Sequence, residues 1–231
     1  MISVALIDLG EVVAESTIRP SDENRHETIS KLMPTIDSLV SESGWSKSML
    51  QGLVVGIGPG SFTGVRVSVT TARAICQALD LPLVGVSRFQ CLSTLVELPA
   101  GIAMSGGRGH LFVAAYDRAG AAAVPTEIPF EIPFEVIAPH CLKKESFDPL
   151  ESMVDRWYSD TDLPYCPSSI LPGLPKIAVV QGLIACRLHT FGKQNRYEEV
   201  KPLYLRGASI TLKKKDDRRA DSNYSETSKA P

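Results

Sequence analysis

Apolar and polar residues follow one another in the first part of the chain in the way that a sheet with covering helices requires. Two β-favouring runs, Ile2–Ile7 and Glu11–Glu15, flank Asp8-Leu9-Gly10, and this predicts a hairpin with a glycine in its turn. Apolar residues then recur at three- and four-residue steps, which predicts a helix over residues 27–43. They are Ile29, Leu32, Met33, Ile36, Leu39 and Val40. Pro34 lies among them and should kink or restart the helix.

A strand, a helix and a second strand are predicted next. Residues 51–57 form a short β-branched run that is typical of a strand buried on both faces. One helical face is predicted beyond it, formed by Val65, Val69, Ala72, Cys76 and Leu79. Residues 81–86 begin the following strand, and this order of elements indicates a crossover and a parallel pair. The fold class is therefore α/β, a mixed sheet with helices packed on it.

The pattern changes beyond about residue 98. A second hairpin is predicted from Gly101–Met104 and His110–Tyr116. Proline-rich chain follows, where loops, edge strands and one short helix near residues 149–158 are expected. A strand at Ile177–Val180 and a helix at Leu183–Phe191 come next, and Lys201-Pro-Leu-Tyr-Leu-Arg206 ends the ordered part.

These changes in composition predict a division into three parts. Residues 1–98 form an N-terminal lobe, residues 99–207 a smaller proline-rich lobe, and residues 208–231 a disordered polar tail. The tail contains Lys213-Lys-Lys-Asp-Asp-Arg-Arg219, and a basic arm for tRNA is the alternative interpretation of it.

Composition narrows the possible functions. The 24 basic and 26 acidic residues give a formal net charge of -2, so no global positive field draws the chain onto RNA. Its five cysteines include no C-x-x-C pair, so neither a metal site nor a disulfide framework is expected. The longest uncharged run, Ser48–Val65, is broken by glycines and a proline, and no leader opens the chain. A cytoplasmic protein without a membrane segment is expected.

The glycine-rich turn after the first buried strand is the clearest candidate for chemistry. Backbone N–H groups between a strand and a helix form a natural anion cradle. Gly64 is followed by Val65, however, so the lysine of the P-loop is absent, and the glycine spacing also differs from the dinucleotide fingerprint. Close packing of the helix on the sheet, with Ser61 or Thr63 as its N-cap, is the alternative.

A longer match lies across this turn. The run Gly56-Ile-Gly-Pro-Gly-Ser-Phe-Thr-Gly-Val-Arg66 resembles the signature of the TsaB (YeaZ) family. The first hairpin, the stretch from His26 to Pro34 and Pro202-Leu-Tyr-Leu-Arg206 are similar to further segments of that family. The resemblance is dense to about residue 95 and thin beyond it. Eight residues of this run form what we call the block of signature residues: Gly58, Pro59, Gly60, Ser61, Phe62, Thr63, Gly64 and Arg66. We interpret the block as a vestigial phosphate site or as a packing element.

This resemblance implies a two-lobe fold of the actin and sugar-kinase type and a non-catalytic subunit without a cofactor. Its implied partner is TsaD, with which TsaB-type proteins make threonylcarbamoyladenosine on tRNA. A TsaE-type ATPase is a further candidate partner, a homodimer through the same surface is an option, and tRNA is contacted only indirectly. The two helices of the first lobe are the implied pairing surface. Its candidate residues are Ile29, Leu32, Met33, Ile36, Val69, Ala72, Arg73 and Cys76.

Two departures from the family pattern weaken any claim of nucleotide chemistry. The chain starts at what should be the second strand, so either its start codon is assigned late or the strand that ends in Asp-Thr-Ser or Asp-Thr-Ala is missing. The segment Ser105-Gly-Gly-Arg-Gly-His110 replaces the family's Asp-Ala-Arg-x-Gly-Glu and lacks both carboxylates. A kinase-like or carbamoyl-transfer enzyme of this fold would need acidic residues for magnesium, and no convincing set is visible. A metallopeptidase is a weaker alternative, because His26, His110, His140 and His189 are isolated from one another.

Overall fold

A computed structural model describes seven stretches of the chain: residues 2–19, 29–118, 133–147, 154–163, 169–171, 177–187 and 196–206. The predicted tail over residues 208–231 lies outside these stretches, and so do His26, His189 and the basic run at residues 213–219.

The predicted N-terminal hairpin is confirmed. Strands β1 (Ile2–Asp8) and β2 (Glu11–Ile18) pair antiparallel, and Asp8 stands opposite Glu11. The turn therefore contains two residues, Leu9 and Gly10, with φ angles of 47° and 87°. Positive φ at both positions is the backbone of a type I′ turn, whose twist fits the twist of the flanking strands.

Helix α1 (Leu32–Glu42) covers one face of this hairpin. Residues 29 and 30 are helical as well, but Lys31 interrupts the helix, which restarts at Leu32. Pro34 then lies in the first turn, where its missing N–H group costs no helical hydrogen bond. Leu39 and Val40 pack against Leu6 of β1.

The predicted strand, helix and strand are also confirmed. They are β3 (Leu53–Gly58), α2 (Phe62–Leu79) and β4 (Leu83–Ser87), and β3 pairs parallel with β4. The apolar face of α2 packs on both strands through Val69, Ala72 and Cys76. A 3-10 turn at Lys47–Met49 precedes β3, and the short helix α3 (Arg88–Ser93) follows β4 directly.

A five-stranded sheet makes up most of the second half of the described chain. Its order is β7-β6-β5-β8-β9. The strands are β5 (Ala100–Gly107), β6 (His110–Asp117), β7 (Phe134–Lys143), β8 (Trp157–Ser159) and β9 (Ser169–Ile170). β5 and β6 form the predicted antiparallel hairpin, while β8 runs parallel to β5. Another 3-10 turn, Lys144–Ser146, follows β7.

The prediction of a short helix near residues 149–158 is wrong at the C-terminal end of that range. Trp157 and Tyr158 belong to β8, and Gly101 of β5 stands opposite Trp157. Trp157 is buried and meets Phe147 edge to face, with ring centroids 4.7 Å apart. Long-range packing of this aromatic pair decides the conformation here, and local sequence did not indicate it.

The strand predicted at Ile177–Val180 is wrong as well. One continuous helix, α4 (Ile177–Arg187), occupies the region. Short apolar runs do not distinguish a buried strand from a buried helix, because both lack a polar face. α4 is apolar on nearly every side because it lies between β1, β3, β4 and α3.

The position of α4 changes the predicted division of the chain. Residues 177–187 fall in the second part by sequence, yet Val180 and Ile184 pack in one cluster with Val84 and Val86 of β4. The helix therefore completes the core of the N-terminal elements. The architecture is mixed α/β, as predicted, with helices packed on sheets.

Candidate functional site

The glycine-rich turn links the end of β3 to the start of α2. β3 ends at Gly58, which has a φ of +101° and is joined to Pro59 by a cis peptide bond. A Cβ at Gly58 would lie 3.4 Å from Val65 Cγ2 and 3.7 Å from the carbonyl oxygen of Leu203. The positive φ calls for glycine at this position, whereas a Cβ there would make only ordinary contacts.

Ser61 is the N-cap of α2, which confirms one of the two predicted caps. Its Oγ accepts a hydrogen bond from the N–H of Gly64 at 3.4 Å. Thr63 lies inside the first turn of the helix. Gly60 and Gly64 have ordinary contacts, since a Cβ on either would lie 3.5 Å from its nearest neighbour.

The block of signature residues is divided between the interior and the surface. Gly58 and Pro59 are buried and Gly64 is half-buried. The exposed members are Gly60, Ser61, Phe62, Thr63 and Arg66. The turn thus fixes the end of β3 inside the molecule and exposes the first turn of α2.

An aromatic contact ties this turn to the C-terminal segment. Phe62 stacks on Tyr204 with ring centroids 4.8 Å apart and planes inclined by 25°. One residue earlier, the N–H of Leu203 donates to the carbonyl oxygen of Ile57 at 2.8 Å. The predicted end segment 201–206 is therefore docked on β3. Sequence reasoning missed the pairing of Phe62 with Tyr204, because nothing in the chain places them together.

Four of the predicted pairing residues are core residues instead. Val69, Ala72 and Cys76 are 2%, 7% and 0% exposed, because they form the face of α2 that packs on β3 and β4. Leu32 is only 6% exposed. This corrects the prediction at these four positions, since a partner cannot contact side chains that the chain's own core covers.

The other predicted pairing residues remain accessible. Met33 is exposed, while Ile29, Ile36 and Arg73 are half-buried. Sequence reasoning also missed an exposed stripe on the opposite side of α2 from its core face. It consists of Arg66, Thr70, Ala74 and Gln77. Steps of four, four and three residues align these side chains along one side of the helix.

The thiols near this region are unreactive. Burial raises the pKa of Cys76 to about 11 and that of Cys91 to about 12. Both side chains are almost completely buried, as predicted for small apolar residues. Since the thiolate is the nucleophile, neither group is available for covalent chemistry at neutral pH.

Acidic and histidine side chains do not converge in the part of the chain that the structure describes. Within it, no group of three or more His, Cys, Asp or Glu residues could hold a metal ion. His110 and His140 each bond the carbonyl oxygen of a residue two positions earlier, Arg108 and Ala138. Among the described helices, none is long and apolar enough to cross a membrane.

Comparison with known proteins places these features in a family. A family model described as TsaD, tRNA N6-adenosine threonylcarbamoyltransferase, matches residues 9–127, just over half of the chain. The matched region begins in the turn of the first hairpin and includes β2, the glycine-rich turn and both strands of the parallel pair.

Two curated relatives are similar to this chain. The tRNA threonylcarbamoyladenosine biosynthesis protein TsaB of Escherichia coli is 30% identical over 118 residues, 51% of this chain and 46% of that protein. The TsaB of Bacillus subtilis is 38% identical over 63 residues, 27% of this chain and 28% of that protein. The matches thus cover less than half the length of either relative.

The fold is similar to a solved structure over most of its length. This is a crystal structure of a Pseudomonas aeruginosa protein described as similar to peptidase YEAZ, with a TM-score of 0.64 and 20% identity. The superposition covers 88% of this chain and 94% of that one. The chain therefore belongs to the family of the tRNA N6-adenosine threonylcarbamoyltransferase model, and within that family it is of the TsaB (YeaZ) type.

Proposed function

We propose that this chain is a non-catalytic subunit that binds a TsaD-type transferase and supports threonylcarbamoyl transfer to adenosine in tRNA. The observation that carries the proposal is the family match across the glycine-rich turn. Relatives named TsaB, which are similar over part of their length, support a role in the same tRNA modification. On this proposal the chain requires no cofactor and works in the cytoplasm.

The glycine-rich turn supports an accessory role in this proposal. It contains neither lysine nor acidic residues, and Arg66 at its end is exposed on α2. Gly58 meets Val65 and Leu203, so the turn packs α2 and the C-terminal segment onto β3. We assign it to packing and not to phosphate binding.

The pairing surface that we propose lies on the exposed sides of α1 and α2. Met33 is a large apolar side chain that is 50% exposed on α1 and is therefore accessible to a partner. Across α2, the stripe of Arg66, Thr70, Ala74 and Gln77 offers small and polar side chains. The exposed face of a helix gives a partner a ridged surface onto which its own helices can pack.

The wider architecture is part of the same proposal. We propose two lobes of the actin and sugar-kinase type, with residues 1–98 and α4 in the first and most of residues 99–207 in the second. A homodimer through the same helices and an interaction with a TsaE-type ATPase remain further candidates.

Co-expression with the TsaD-type protein of the same organism tests the pairing. We expect the two proteins to elute together in gel filtration at micromolar concentration. Ala74→Arg should weaken the complex at least tenfold, because it adds a long charged side chain at the centre of the stripe without lowering helix propensity. Val136→Arg is the matched control, since Val136 is 54% exposed on β7 and lies outside the stripe.

Two outcomes would contradict the proposal. Separate elution of the wild-type proteins would exclude a stable complex, and equal binding of both variants would place the interface elsewhere. The second candidate function is catalysis by the chain itself, which the transferase family model favours. Turnover of ATP or modification of tRNA by the isolated chain would support that candidate.

A further inference from the structure

The hairpin of β5 and β6 ends in a loop that exposes an arginine in an unusual backbone conformation. Gly107, Arg108 and Gly109 all have positive φ angles, of 68°, 52° and 74°. Glycine adopts this region without steric cost, whereas a bulky side chain rarely does. Arg108 is exposed, so packing in a core does not explain its presence. An exposed residue held in a rarely populated conformation is a reason to look for a functional role.

Backbone contacts bring further cations to this loop. Arg206 donates from Nη1 to the carbonyl oxygen of Gly107 at 3.1 Å. The N–H of Lys144 donates to the carbonyl oxygen of Gly109 at 3.0 Å. Lys143, the last residue of β7, stands opposite the first residue of β6. We call this group of cations the basic end of the sheet: Arg108, Lys143, Lys144 and Arg206.

Few acidic residues accompany the basic end in the described stretches that form it. Residues 104–111 and 201–206 contain no aspartate or glutamate, and residues 140–146 contain one, Glu145. The whole chain nevertheless has a formal net charge of -2. The positive field is therefore local, and in physiological salt it extends over about one Debye length of about 8 Å. The overall charge of the chain does not describe the chemistry of this end.

Two accessible aromatic rings follow the basic end along the C-terminal segment. Tyr204 precedes Arg206 by two residues, so their Cα atoms are at most about 7 Å apart. The ring of Tyr204 stacks on that of Phe62, and the two residues are 47% and 42% exposed. We call these two rings the aromatic pair. Arg66 is also exposed, one helical turn after Phe62 on the same side of α2.

The basic end and the C-terminal segment share one side of the five-stranded sheet. Phe112 of β6 and Leu205 pack against the same buried cluster. Side chains two residues apart on a strand lie on the same face, so His110 lies on the face of Phe112. Lys143 stands opposite His110 and therefore lies on that face as well. One ligand can thus reach the cations and the rings together.

Cations beside accessible aromatic rings are typical of a site for RNA that has an unpaired base. Lysine and arginine neutralise phosphates, while the face of an aromatic ring stacks on a base outside a duplex. An acidic protein segment would also be attracted to the cations, but it would gain little from the rings. The proposed function supplies such an RNA, because its target is a tRNA.

We propose that the basic end and the aromatic pair form a direct contact site for tRNA. In this site the cations bind about three phosphates, and one unpaired base stacks on the aromatic pair. The inference rests on the proposed function for the identity of the RNA. It replaces the expectation, implied by the family resemblance, that tRNA is contacted only through the partner.

Fluorescence anisotropy with a labelled tRNA transcript measures this contact on the full chain without its partner. We expect a Kd of about 1–100 μM at physiological salt. A plot of the logarithm of the association constant against that of the salt concentration should have a slope of about -2, since each phosphate contributes about -0.7. A blunt RNA duplex with the same number of nucleotides should bind at least about fivefold more weakly, because it offers no unpaired base. Equal affinity for the two RNAs would overturn the proposal.

A matched pair of variants locates the phosphate contacts. Arg108 and Arg118 are both exposed and lie beyond opposite ends of β6, about 25 Å apart. Arg108→Asp places a residue that tolerates positive φ in the loop, and it should weaken tRNA binding about tenfold and reduce the salt slope by about 0.7. Arg118→Asp changes the charge equally and should leave binding within about twofold of the wild type. Equal losses would show attraction to overall charge and would overturn the proposal.

Two substitutions of Tyr204 test the stacking. Tyr204→Leu removes the ring and should weaken tRNA binding at least about fivefold, without changing the salt slope or the binding of the duplex. Tyr204→Phe keeps the ring and should bind tRNA like the wild type. Thermal unfolding of both variants monitors the fold. Equal tRNA affinities of the two variants would overturn the proposal, since a stacking role requires the ring.

Gel filtration with the co-expressed TsaD-type protein separates this inference from the proposed function. Arg108→Asp should elute with the partner as the wild type does, because Arg108 lies outside the exposed stripe on α2. Failure of the wild type to form the complex would contradict the proposed function alone, since tRNA binding is measured without the partner. A peptide of ten glutamates is the probe for a protein ligand. If it binds as tightly as tRNA and Arg108→Asp abolishes its binding, the basic end serves an acidic protein and the proposal is overturned.

Discussion

The five-stranded sheet and the layer that contains β1 and β3 differ in how completely their strands are paired. β5 has a partner on each edge, and Ile102 and Ala103 within it are fully buried. Among the described strands β1 has one partner, and most of its residues are half-buried although the run is equally apolar. Burial of a strand therefore depends on its neighbours as much as on its own sequence. The first of the following predictions compares equal changes in these two regions, and the others compare tightly and loosely packed positions within the layer that contains β1 and β3.

Truncation of the two tryptophans should give the largest difference. Trp157 is 4% exposed in the five-stranded sheet. Trp45 is half-buried and lines the cavity between β1 and β3. We expect Trp157→Ala to lower the free energy of unfolding by about 3–5 kcal/mol, as for fully buried aromatic residues, and Trp45→Ala by about half as much. Urea denaturation followed by far-UV circular dichroism measures both, and equal losses would contradict the comparison.

Alanine at two glycines should give an intermediate difference. A Cβ at Gly85 would lie 2.7 Å from Ile57 Cγ2, which is fixed to a branched Cβ, and 3.1 Å from Val200 Cγ1. We expect Gly85→Ala to cost about 1–2 kcal/mol. At Gly182 the contact is with Ile7 Cγ1 and Cδ1, which can rotate toward the open space.

Helix propensity favours alanine over glycine by about 0.8–1 kcal/mol, so Gly182→Ala should change stability by less than about 0.5 kcal/mol. The urea midpoints of the two variants, measured side by side, provide the test. A larger loss of stability for Gly182→Ala than for Gly85→Ala would show that the Ile7 side chain cannot move away from the added methyl group.

The smallest difference is expected at two helix caps. Ser87 is buried and forms a capping box, in which its Oγ accepts from the N–H of Gln90 at 3.1 Å and Gln90 Oε1 accepts from the N–H of Ser87 at 2.8 Å. Ser61 is exposed, and its capping bond is longer at 3.4 Å. We expect Ser87→Ala to cost about 1 kcal/mol and Ser61→Ala about 0.5 kcal/mol.

Ser61→Asp is the control for the exposed cap. Aspartate caps as well as serine and complements the helix dipole, so thermal unfolding of this variant should match or exceed that of the wild type. A loss of stability with aspartate would show that Ser61 acts through a contact other than the cap.

Local pattern was sufficient where neighbouring residues determine the structure. The hairpin at Leu9-Gly10, the helix restart at Leu32 next to Pro34 and the cap at Ser61 all depend on residues within one turn. The apolar face of α2 was also predicted correctly. Its use as a pairing surface was not, because a helical period shows that one face is covered and does not show which molecule covers it.

By itself the sequence determined the α/β class, the order of strands to β6 and, through one eleven-residue run, the family. Only the tertiary structure decided that residues 177–180 are helical, that Trp157 lies in a strand, and that Phe62 stacks on Tyr204. Each of these depends on contacts between distant parts of the chain. Only the tertiary structure also showed the cavity lined by β1 and β3. Strand pairing depends on the neighbouring strands, and a run of apolar residues does not specify which strands those are.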